Sequence, residues 1–193
     1  MEHSASNNSL RSIIPLSGAS FEALQELFVY RSIPQNEVFV ETGRRSYLEY
    51  FIIDGYCRSF LLNPEGDDIT LAFFKKHGAL SPHITRTKNN ISLINFQALT
   101  NLELVEFKAE QFLSLMIQNT EIRDFGNTIL KNELMQKTAK EIGLASLPAK
   151  ERLSIFREEY GELENLIPHP LIASYLGITN VSLSRLRSDM NSR

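Results

Sequence analysis

Between residues 32 and 107 apolar and polar side chains alternate with a period of two. The apolar positions are Val38 and Val40, then Leu48, Tyr50 and Ile52, then Ile69, Leu71 and Phe73, then Leu102, Leu104 and Phe107. A period of two lays one face of a strand on a core, and the β-branched and aromatic content favours it, so the pattern predicts short strands. Gly43, Gly55, Gly66 and Gly78 separate them at intervals of eleven or twelve residues. Asn63-Pro64-Glu65-Gly66-Asp67 reads as a hairpin turn between two apolar runs. Strands so spaced, with no helical crossovers, predict an antiparallel sandwich or jelly roll.

On both sides the period lengthens to three and four. Residues 20–30 carry Phe21, Leu24, Leu27 and Phe28 and predict a short helix, preceded by a polar start at residues 1–12 that predicts fraying. Residues 121–147 predict a long helix, with Ile122, Phe125, Ile129, Leu130, Leu134 and Met135 on a broad apolar band. Its heptad is poor: stepping by seven from Ile122 gives Ile129, Gln136 and Gly143. A helix folded back on the sheets and a helix paired with a twin both fit so wide a band. Ser146-Leu147-Pro148 then breaks the chain, and residues 149–160 open a further helix on Leu153, Ile155 and Phe156. The expected division is 1–118, 119–147 and 148–193.

The stretch from Ile167 to Arg187, IPHPLIASYLGITNVSLSRLR, carries two short periodic runs around one glycine. The first, opened by Pro168 and Pro170, has Leu171, Ile172, Tyr175 and Leu176 as its stripe and small Ala173 where a second helix would cross. Gly177 supplies a left-handed turn residue, Ile178 seals the turn, and Thr179 is a natural N-cap. Leu183, Leu186 and Met190 then share one face, leaving Asn180, Val181, Ser184, Arg185 and Ser188 opposite, with no acid among them. This predicts a helix-turn-helix, although the spacing alone fits a plain helical hairpin too. On duplex DNA, Arg185 would fork to guanine, Asn180 would pair with adenine, and Ser182 and Arg187 would meet phosphates.

Composition narrows the field without deciding it. The chain has 193 residues, 42% of them hydrophobic, and a net charge of −3. An acidic total is no argument for nucleic acid, but Arg185, Arg187 and Arg193 stand against Asp189 alone near the C-terminus. Cys57 is the single cysteine, so no internal disulfide forms, and no apolar run reaches membrane length. A cytoplasmic protein with no membrane partner is expected. Cupin-type oxygenases need a His-x-His pair, whereas His3, His77, His83 and His169 are scattered. There is no phosphate loop or nucleophile elbow, so neither an enzyme nor a cofactor is expected. His77 and His83 read as exposed loop residues, and Cys57 as a small buried one.

The order of these parts resembles the Crp/Fnr family of bacterial transcription regulators. The resemblance rests on VFVETGRRSYLEYFIIDGYCRSFLLNPEGDDITLAFF, on IPHPLIASYLGIT and on LSRLR, and is nearest to the branch that ends after the recognition helix. It implies an α+β chain: an N-terminal antiparallel β-roll like a cyclic-nucleotide-binding domain, a long dimerisation helix and a C-terminal helix-turn-helix. Its implied partners are double-stranded DNA with a palindromic operator, a second copy of the chain, RNA polymerase and a small-molecule effector that the residues do not name. The implied DNA face is Thr179, Asn180, Val181, Ser182, Ser184, Arg185, Arg187 and Ser188, and the implied dimer contacts are Ile122, Phe125 and Ile129. The competing classes are a small-molecule-binding module without DNA binding and a jelly-roll enzyme.

Where cyclic-nucleotide-binding members of that family carry a glutamate and an arginine, this sequence has Ala79 and Ser92. The resemblance therefore implies no response to cyclic AMP or cyclic GMP. Leu80, Arg86, Lys88 and Ser92 are the candidate pocket residues. Arg86 and Lys88 are expected to be solvated, or to bind an anion from a new direction. Phe73, Phe74, Leu80, Leu93 and Phe96 are expected to fill the roll.

Overall fold

In the computed structural model, which describes Leu10, Arg11 and residues 14–191, the alternating stretch forms strands. They are β1 (Val29–Ile33), β2 (Val38–Val40), β3 (Leu48–Asp54), β4 (Tyr56–Leu62), β5 (Asp68–Lys75), β6 (Thr87–Lys88), β7 (Ile91–Ser92), β8 (Asn95–Ala98) and β9 (Leu102–Lys108). One sheet has the order β1-β9-β3, a second β2-β8-β4-β5, and β6 pairs with β7. The first sheet is antiparallel, with Ile33 opposite Leu102 and Ile52 opposite Leu104. The helices are α1 (Gly18–Gln25), α2 (His83–Arg86), α3 (Ala109–Gln118), α4 (Thr120–Ser146), α5 (Ala149–Tyr160), α6 (Leu163–Leu166), α7 (His169–Tyr175) and α8 (Asn180–Asn191). The fold is the α+β β-roll with C-terminal helices that the sequence implies. The expected fraying at residues 1–12 and the charge of Arg193 lie largely or wholly outside the described residues.

Two compact units emerge. One comprises the residues up to Ser59 together with Phe73–Leu134, the other Phe60–Ala72 together with Met135–Arg193. In the first, residues 50–53 of β3 are all buried rather than alternately buried. The sheet is covered on both faces: Tyr50 looks toward Phe39, whose ring lies 5.7 Å away, while Phe51 and Ile53 join Phe21, Leu24 and Ile122 in an apolar cluster. At Gly55, with φ +92°, an added Cβ would come within 2.4 Å of the Asn101 carbonyl oxygen, so only glycine closes the β3–β4 turn.

The expected helix over residues 20–30 ends early. Its first half is α1, but Val29–Ile33 leave it to pair with β9, because a β-branched and aromatic run gains more from a ladder than from another helical turn.

The long helix starts on Asn119, whose Oδ1 accepts the backbone N–H groups of Glu121 and Ile122 at 2.9 and 3.2 Å. Ile122 has 0% exposure, and the Phe125 ring lies 6.5 Å from that of Phe51. Of the contacts expected with a second copy, Ile122 and Phe125 thus pack in the subunit's own core, and Ile129 lines a small space behind the same sheet. The large apolar residues that α4 leaves exposed are Leu130, Leu134, Met135, Ile142 and Leu144.

Candidate nucleic-acid interface and effector cavity

α7 begins on Pro168, with a further proline in its first turn, and buries Ile172 and Ala173. It ends in a Schellman motif: the Ile178 N–H donates to Ala173 O at 3.0 Å and the Gly177 N–H to Ser174 O at 3.1 Å. That motif needs the left-handed φ of +64° at Gly177, where a Cβ would also sit 3.0 Å from Leu144 Cδ2. The Thr179 hydroxyl accepts the Ser182 N–H at 3.1 Å and so caps α8. Leu183 is buried below, while Asn180, Val181, Ser184, Arg185 and Ser188 are exposed. Ser182 is half-buried, with its hydroxyl 2.9 Å from that of Thr179.

Arg187, expected at a phosphate, is engaged within the chain. Its Nε donates to Glu164 Oε1 at 2.7 Å, and its Nη1 lies 2.7 and 3.0 Å from the two ring nitrogens of His169. Glu164, itself buried, also receives Arg157 through Nε at 2.7 Å and Nη2 at 2.9 Å. The Arg157 hydrogen bonds hold the Glu164 carboxyl below its ordinary range, aided by Arg187 and opposed by burial.

α7 is also held by the start of β5. The Ser174 hydroxyl donates to Asp68 O at 3.0 Å and accepts the Thr70 N–H at 2.9 Å. Lys140 Nζ donates to Leu71 O at 2.5 Å and sits 4.0 Å from the centroid of the Tyr175 ring. Burial pulls this ammonium down to about 8.

In the β-roll, Arg86 is 1% exposed, contrary to the expectation of a solvated loop residue. Its Nε donates to Ser81 O at 2.9 Å, its Nη1 to Ser46 Oγ at 2.7 Å, and its Nη2 to Leu48 O. The guanidinium carbon lies 5.5 Å from the ring centroids of both Tyr50 and Phe96, which belong to different sheets. An apolar interior accepts this charge because oxygens and two π-faces replace its water.

Lys88 stays exposed on the β6–β7 hairpin. Ser92 is buried, and its hydroxyl donates to Ile94 O at 2.7 Å. Phe73, Phe74, Leu80 and Phe96 are buried as expected, but Leu93 is 51% exposed and takes no part in the filling. Cys57 is fully buried, and desolvation pushes its thiol up.

Beside Arg86 a groove of about 1120 Å³ opens, lined by Ser46, Tyr50, His83, Ile84, Leu113 and Leu130 among others. The Glu49 carboxylate on its wall accepts the His83 N–H at 2.9 and 3.1 Å. Burial pushes the Glu49 carboxyl up to about 7, against the lowering effects of that N–H and of Arg86. The structure thus gathers the expected DNA-face residues on α8 and its cap Thr179, with Arg187 bonded to Glu164. Of the four expected pocket residues, only Arg86, Leu80 and Ser92 face inward. Glu49, Lys140, Glu164 and Ser174 were not foreseen, because the groups they meet lie on other elements; even Arg157 and Glu164, seven residues apart, stand on separate helices.

No family model matches the sequence, and no curated protein matches it. Solved structures do. FixK2 from Bradyrhizobium japonicum superposes with a TM-score of 0.75 at 17% identity, over 86% of this chain and 85% of that one. A crp/fnr-family transcriptional regulator from Eubacterium rectale gives 0.73 at 15% identity, over 94% and 88%. The c-di-GMP-responsive global regulator CLP from Xanthomonas campestris gives 0.71 at 15% identity, over 91% and 92%.

Proposed function

From the premise that the chain has the fold of the Crp/Fnr transcription regulators, we propose that it is a sequence-specific DNA-binding regulator acting as a homodimer. The observation that carries this reading is the outer face of α8. Asn180, Val181, Ser184, Arg185 and Ser188 are exposed together on a helix capped by Thr179, while Leu183 is buried beneath them. Such a face offers a guanidinium fork, an amide and an apolar contact for a thymine methyl, which is what reading base edges requires. Thr179 and Ser182 stand at the helix start, where phosphates dock.

One such helix reads too few base pairs to be selective, so the active form is a two-fold dimer on a palindromic operator. The paired surface is the exposed stripe of α4, at Leu130, Leu134 and Met135, in place of Ile122, Phe125 and Ile129. The protein is not an enzyme, acts in the cytoplasm, and does not respond to cyclic AMP or cyclic GMP. Supporting the last point, Ala79 offers no acid, the Ser92 hydroxyl is bonded to backbone, and Nε, Nη1 and Nη2 of Arg86 are all engaged by the chain itself.

Selection of duplex DNA from a random pool, with native mass spectrometry of the free protein, tests the reading. Enrichment of a palindrome bound by two chains is the expected result. A monomer that enriches no sequence would overturn it.

A further inference from the structure

We infer that Glu164 is the positioning residue of the recognition helix: by accepting Arg187 and Arg157 at once, it fixes how far α8 is rolled about its own axis. The inference rests on the reading of α8 as the DNA-contacting helix. α8 is twelve residues long, and among its described residues Leu183 alone is buried, with Leu186 and Met190 half-buried on the same side. So short an apolar stripe holds the helix down but fixes its roll only loosely, because dispersion contacts carry little direction. Arg187 lies one turn further along the same side. Its bond to Glu164 Oε1 at 2.7 Å is charge-assisted and directional, and supplies a second fixed point.

Glu164 is in turn held side-on by Arg157, through two bonds of 2.7 and 2.9 Å. Arg157 Nη1 also reaches Met190 Sδ on α8 at 3.7 Å, and Arg187 Nη1 reaches the His169 ring on α7. One carboxylate on α6 therefore ties α5, α7 and α8 together. Removing the carboxylate would leave Arg157 and Arg187 facing each other with no counter-charge, and the cheapest relief is for α8 to roll. A roll displaces Asn180 and Arg185 from the base edges, yet leaves the positive charge of the unit in place. Sequence discrimination should fall while charge-driven binding persists.

The test uses the full chain, a duplex that the wild type selects from a random pool, and a scrambled duplex of equal length. Glu164→Gln is expected to lower the selected-to-scrambled affinity ratio about ten-fold, one base pair's worth of discrimination, with scrambled binding kept within about two-fold. Arg187→Lys keeps the charge but loses the Nε donor, and is expected to do the same, which also covers the case in which Glu164→Gln does not fold. An unchanged ratio in both variants would overturn the inference and leave the DNA-binding reading intact. So would tighter binding of both duplexes by Glu164→Gln with a normal ratio in Arg187→Lys, since Arg187 would then be a phosphate contact that Glu164 withholds. Failure of the wild type to enrich any sequence would instead overturn the DNA-binding reading, and this inference with it.

Discussion

Arg185 stands exposed on α8 with its guanidinium free of the Glu164 cluster, whereas Arg187, two residues on, is bound into it. Replacing Arg185 with Ala should therefore cost roughly 1–3 kcal/mol at the selected site and relax one base pair, read by competition binding against single-substituted duplexes. Glu49 gives a second residue-scale expectation. Its carboxyl titrates near 7 in the folded chain against an ordinary 4.5. Below about pH 4.5 both states hold the proton, and the group costs nothing. Between that pH and about 7 the unfolded chain releases it first, so stability falls as pH rises through the window. A decline on the order of 2 kcal/mol between pH 5 and 8 is expected from this carboxyl in denaturant titrations. Glu49→Gln, which still accepts the His83 N–H, should flatten it; an equal decline in the variant would assign the effect elsewhere.

At the scale of elements, α4 separates two uses of one apolar band. Ile122 is fully buried, so Ile122→Asp should unfold the first unit, because an unpaired carboxylate there costs several kcal/mol. Leu130→Asp with Leu134→Asp should leave the circular dichroism spectrum unchanged and yield a monomer by light scattering; a dimer would put the interface elsewhere.

The band illustrates what the sequence could and could not disclose. Periodicity located the helix to within a residue at each end, because helical spacing is a local property. Which face met the roll was not local, since it depends on Phe51 and Ile53, far back in β3. The turn at Gly177 and the cap at Thr179 were legible for the same local reason. Arg86 was not: a cation among Thr85, Thr87 and Lys88 reads as solvated, and its acceptor Ser46 lies 40 residues away. β1 was lost to the same effect, its register being written in β9.

For the molecule as a whole, the guanidinium between the two sheets bears on what the β-roll can admit. A cyclic phosphate would have to displace Arg86 from Ser46, Leu48 and Ser81 or enter without a cation, and either course leaves buried polar groups unpaired. Titration calorimetry at about millimolar cyclic AMP or cyclic GMP should show no saturable heat. One-per-subunit micromolar binding would mean that Arg86 moves and serves as the anchor.

The contact between the start of β5 and α7 has a consequence in time. Residues 60–72 belong to the C-terminal unit, and Thr70 meets Ser174 across a separation of 104 residues. On the ribosome the hairpin emerges long before its partner; at about 5–20 residues per second, roughly 5–20 s pass before Ser174 has been added. During that interval the Ser174 hydroxyl is not yet there to meet the Thr70 N–H and the Asp68 carbonyl. A C-terminal piece expressed alone lacks the hairpin altogether, so pulse-labelling should find the unit protected only after the last helices leave the exit tunnel.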